Sequence, residues 1–121
     1  AYIETYFWKV LNLIKKNNWE PVFVTIGSSQ NIAAKKAWLK DGIIDNHYDA
    51  TFIGLVDVKD KSSVDMSNGI MIDDHPDMLN SSNAAVKICF GKYGWNKDWE
   101  GLRAKNWEEA YKILEDLANE R

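Results

Sequence analysis

The chain has 121 residues, enough for one hydrophobic core and not for two. Its 45% apolar and 27% charged residues fit a packed globular protein. The net charge of -3 and pI near 5.3 leave no basic footprint for duplex nucleic acid or an anionic membrane.

Apolar residues at Ile3, Tyr6, Phe7, Val10, Leu11 and Ile14 recur at helical spacing and predict an amphipathic helix over residues 3–18, ended by Asn17-Asn18. Pro21-Val22-Phe23-Val24-Thr25-Ile26 reads as a strand buried on both faces. Gly27-Ser28-Ser29 is a turn with two candidate caps, opening a helix to about Asp41. Ile32, Trp38 and Leu39 form its inner side and Gly42 stops it. Strands are predicted over residues 50–56, 69–73 and 86–90, with a short helix from Pro76 to about Ser82. Residues 91–105 read as a loop rich in Trp, Gly and Asn. Asn106-Trp107-Glu108-Glu109 then opens the last helix with an approximate capping box, its inner face being Trp107, Ala110, Tyr111, Leu114 and Leu117.

Helices alternating with short apolar strands imply an α/β fold, a three-layer arrangement around a mostly parallel sheet in a single domain. Ligands of such sheets bind beyond the carboxyl ends of the strands, where Thr25, Ser28, Lys61 and the pair Asp73-Asp74 fall. The Thr25 hydroxyl, Ser28 and the neighbouring backbone N–H groups could cradle a phosphate, unless the serines only cap the helix. Lys61 could neutralise a phosphoryl group. Asp73-Asp74 could hold magnesium, which commonly takes one or two carboxylates and completes its shell with water and phosphate; otherwise Asp74 caps the helix at Pro76.

Cys89, the single cysteine, excludes an internal disulfide framework and a Cys-rich zinc site, and its apolar neighbours make it inert packing. His75 reads as a turn residue, and His47 has no partner nearby in sequence. Trp95 and Trp99 read as anchors of their loop rather than base-stacking groups. No apolar run reaches the length of a membrane span and no signal peptide is visible, so a cytoplasmic protein is expected.

The order of these features resembles motifs two, three and four of the haloacid dehalogenase superfamily, and within it the 5'(3')-deoxyribonucleotidase branch. Val22-Phe23-Val24-Thr25 is similar to the phosphate-binding second motif, Asp60-Lys61-Ser62 to the third and Ile72-Asp73-Asp74-His75-Pro76 to the magnesium-binding fourth. Ile88-Cys89-Phe90, Tyr93, Trp95-Asn96 and Asn106-Trp107-Glu108-Glu109 extend the likeness. The resemblance implies a haloacid dehalogenase-like core and a magnesium-dependent hydrolase of nucleoside monophosphates. Thr25 and Lys61 would be its catalytic residues, Thr25, Ser28 and Lys61 would hold phosphate, and Asp73 and Asp74 would hold Mg2+.

The family's first motif, Asp-x-Asp with the nucleophile, has no counterpart among these residues, nor does the small cap that helps select the base. Its strand would lie between those carrying Thr25 and Asp73. Those two strands are therefore expected to pair directly, to borrow a strand from a homo-oligomer or a complementing N-terminal segment, or to leave backbone groups unpaired, which is costly. The chain alone is expected to be inactive. The alternative is a non-catalytic relative that binds a nucleotide or a protein.

Overall fold

Helix α1 spans Thr5–Lys16 and buries Phe7, Val10, Leu11 and Leu13. The expected face omitted Leu13 and included Ile14, which is only half-buried. The helix ends as expected: Asn17 Nδ2 donates to the Leu13 carbonyl at 2.9 Å, and Asn18 adopts φ 56°, a left-handed conformation that asparagine tolerates better than most residues. The computed structural model describes residues 5–43, 50–56 and 58–120. Ile3 and His47, both weighed in the sequence, lie outside them.

The chain divides into two units, Ala1–Lys59 and Asp60–Arg121. In the first, β1 (Val22–Gly27) pairs in parallel with β2 (Thr51–Val56), with Thr25 opposite Gly54. Helix α2 (Ser29–Gly42) connects them and packs on both. Gly54 is required here, because a Cβ would stand 2.5 Å from Ile32 Cγ2. Two expectations fail in this unit. Of the predicted inner residues of α2 only Leu39 is fully buried, while Trp38 is 42% exposed. No residue of β1 is fully buried, since among the described residues the strand has a ladder on one edge only.

In the second unit β3 (Ile70–Asp73), β4 (Val86–Phe90) and β5 (Leu102–Ala104) form a parallel sheet in that order. Helix α3 (Pro76–Ser81) packs on β3 and β4, and α4 (Trp107–Asn119) on β5. Met71, Leu79, Ala84 and Cys89 make a core cluster against which Met66, Met78 and Trp99 pack. Strand β5 lies inside the expected loop. It has three residues with a guanidinium at its centre, so it carries no apolar alternation to announce it. The start of α4 is close to the predicted capping box. Asn106 Oδ1 accepts from Glu109 N at 2.9 Å, and Glu109 Oε1 accepts from Lys105 N at 2.8 Å, one residue before the cap.

The fold is thus α/β with every ladder parallel, as expected. The sheet, however, comes in two pieces. Among the described residues β1 pairs with β2 alone and β3 with β4 alone.

Candidate phosphate and metal site

Because the three strands of the second unit run parallel, the segments after β3 and β4 emerge at the same sheet end. Asp73 closes β3 there. Its Oδ2 accepts from Lys61 Nζ at 2.9 Å, and its Oδ1 accepts from the His75 backbone N–H at 3.0 Å. The Asp73 and Lys61 side chains are only 8% and 15% exposed. A desolvated, charge-assisted pair of this kind holds its geometry more firmly than a surface pair. The structure therefore brings together two of the predicted residues that stand twelve apart in sequence.

Asp74 is differently placed. Its carboxylate is 40% exposed, and Oδ1 lies 3.9 Å from His75 Nε2. It is not the cap of α3: the N-cap is His75, which makes no side-chain capping bond. The capping alternative for Asp74 is thereby removed, and a solvent-facing carboxylate stands beside a buried one. Their hard oxygen donors are of the type magnesium takes. Among the described residues no group of three or more His, Cys, Asp or Glu side chains converges, so these residues offer at most a part of a metal shell.

Thr25 and Ser28 belong to the first unit. Thr25 Oγ1 accepts from Lys35 Nζ at 2.7 Å. Ser28 accepts from Asn31 N at 3.2 Å and is the N-cap of α2, the capping role weighed for it in the sequence. Lys35 was missed by the sequence reading. A signal existed: α2 returns along β1, and Lys35 lies seven residues beyond the cap, two helical turns along the same face.

The loop after β4 is better ordered than its composition suggests. Gly91 has φ 80°, and a Cβ there would stand 2.3 Å from Tyr93 Cε2. Trp95 stacks with Tyr93, at 4.6 Å and 14°, and with His75, at 5.9 Å and 26°. Its Nε1 donates to the Asp74 carbonyl at 3.1 Å. Trp99 Nε1 donates to the Leu102 carbonyl at 2.9 Å. Both tryptophans anchor the loop, as expected, although Trp95 stays 56% exposed. Asn96 and Arg103 were not singled out for this role. Asn96 is 1% exposed, and Arg103 donates to the carbonyls of Gly91, Asn96 and Trp99 and to Asn96 Oδ1. An Asn and an Arg in a loop rich in Trp, Gly and Asn are the only hints in sequence. Cys89 is fully buried, and burial pushes its thiol pKa up, in keeping with inert packing.

In parallel α/β folds ligands bind beyond the carboxyl ends of the strands, the edge at which this lysine–aspartate pair lies. Residues 7–119 match the profile of the 5' nucleotidase, deoxy (pyrimidine), cytosolic type C proteins, and the chain belongs to that family. No curated protein and no solved structure matches it. Among the described residues no helix is long and apolar enough to cross a membrane.

Proposed function

We infer that the chain is the core of a magnesium-dependent 5'-nucleotidase-like phosphohydrolase of (deoxy)nucleoside monophosphates, working in the cytoplasm with a nucleophile these residues do not include. The observation that carries the reading is the part-buried Lys61–Asp73 pair at the carboxyl end of β3, in a chain of nucleotidase family. In this chemistry an aspartate attacks phosphorus, the nucleoside leaves, and water hydrolyses the aspartyl phosphate.

Each residue then has a definite task. Lys61 has three N–H donors; one engages Asp73, and the others are available to phosphoryl oxygens. Asp73 has lone pairs beyond those taken by Lys61 and His75, and Asp74 faces solvent, so these two would hold Mg2+. Bound there, the ion would neutralise phosphoryl charge as a Lewis acid. The Thr25 hydroxyl accepts from Lys35, which leaves its own O–H to donate to a phosphate oxygen. Ser28 would add backbone N–H groups of the α2 N-terminus rather than its hydroxyl, which the cap occupies.

The nucleophile would come with a strand supplied by a complementing segment or by a second copy of the chain. Among the described residues β1 and β3 each carry a ladder on one edge only, which supports this, since parallel strands are ordinarily covered. The test is phosphate release from a panel of deoxynucleoside monophosphates with Mg2+. The pure 121-residue chain is expected to show none. Turnover lost in Asp73→Asn but present in the unmodified chain would place a nucleophile within these residues and overturn that part of the reading.

A further inference from the structure

We propose that Asn96, clamped by Arg103 and assisted by Trp95, is a positioning residue for the Asp73 carboxylate. The inference rests on the site reading above and goes beyond it. The Asp74 carbonyl accepts two side-chain donors from the loop after β4: Asn96 Nδ2 at 2.9 Å and Trp95 Nε1 at 3.1 Å. That carbonyl and the His75 N–H belong to one peptide unit, which is planar. Gripping the oxygen therefore sets the direction of the N–H, and the N–H donates to Asp73 Oδ1 at 3.0 Å. The loop thus reaches Asp73 through a rigid plane without touching its carboxylate.

Asn96 is itself held on every side. Its Oδ1 accepts from Tyr93 N at 2.8 Å and from Arg103 Nη1 at 3.2 Å. Its Nδ2 also reaches the Phe90 carbonyl at 3.3 Å, and its own carbonyl accepts from Arg103 Nη2 at 2.7 Å. With 1% exposure and both amide atoms engaged, it has one orientation available. A buried amide this fully bonded, aimed at the turn that carries two carboxylates, does more than close a loop. Outer partners of metal-binding carboxylates fix their aim in just this way.

The test uses the 121-residue chain and Mg2+, with Mn2+ as a second probe. Trp95→Phe removes one donor to the Asp74 carbonyl from a half-exposed ring. Asn96→Asp removes the other while keeping the acceptor for Tyr93 and Arg103. Lys112→Gly, on the exposed face of α4, lowers helix propensity far from the turn and serves as a stability control. Each of the first two is expected to weaken Mg2+ binding by about tenfold and to speed hydrogen exchange at the His75 amide. Lys112→Gly is expected to do neither. Unchanged affinity in both loop variants, or an equal loss in Lys112→Gly, would overturn the proposal. Should the unmodified chain bind no Mg2+, the metal reading fails, and the His75 amide decides the positioning claim alone. Faster exchange in both variants then upholds the grip, and unchanged exchange defeats it.

Discussion

Lys61 Nζ donates to Asp73 Oδ2 at 2.9 Å while the two side chains are 15% and 8% exposed, so each charge is the other's main compensation. Removing one partner leaves the second desolvated and unpaired. Lys61→Met is expected to lower stability by about 2 kcal/mol, and Asp73→Asn by a similar amount. The double variant should lose less than the sum of the two. Urea unfolding of all four proteins gives the coupling, and strict additivity would mean that the pair contributes nothing to the fold.

Gly91 combines a left-handed backbone with a ring where its side chain would be. Gly91→Ala is expected to cost about 2 kcal/mol or more from backbone strain and the contact with Tyr93. Adding Tyr93→Ala should return only the steric part. Thermal unfolding checks both, and full recovery in the double variant would show that φ carries no strain.

Asp65 Oδ1 accepts from Ser67 N and from Asn83 Nδ2, both at 3.0 Å. Its pKa is held below the ordinary carboxylate value, first by the backbone bond from Ser67, then by the side chains of Ser67 and Asn83. A carboxylate with a depressed folded pKa adds stability above its unfolded value, near ~3.9, and loses it as pH falls through the folded value. Asp65→Asn should therefore lower stability in the neutral region, change it little at the most acid pH, and so flatten the fall in stability below about pH 4. An unaltered acid limb would contradict this.

Cys89 is fully buried and its thiol pKa is raised, chiefly by that burial. A thiolate-selective reagent at mildly alkaline pH should modify it slowly in the folded chain and rapidly in denaturant. Fast modification of the folded chain would show that β4 opens readily.

Much of this was legible in sequence because it is local. The periodicity of α1 and α4, the apolar runs of β1 to β4 and the cap at Asn106 follow from neighbours a few residues apart. Asp73 and Lys61 were visible as residue types in an order. Their contact was not, since it spans a loop whose path no periodicity fixes. The role of Asn96 was hidden for the same reason, because its partners Asp74, Phe90 and Arg103 come from three different segments. Trp38 shows the converse error. Its spacing suits an inner helix face, yet the neighbours needed to bury it are not supplied by α2, β1 and β2. Spacing reports which face is apolar, and only tertiary contacts decide whether that face is covered.

The most direct measurement is Mg2+ binding to the 121-residue chain with inorganic phosphate present, by calorimetry, for the unmodified protein and for Asp73→Asn. The expected result is measurable binding in the first and its loss in the second, with the variant still folded. Equal binding in both, or none in either, would contradict a phosphate and metal site built on Asp73.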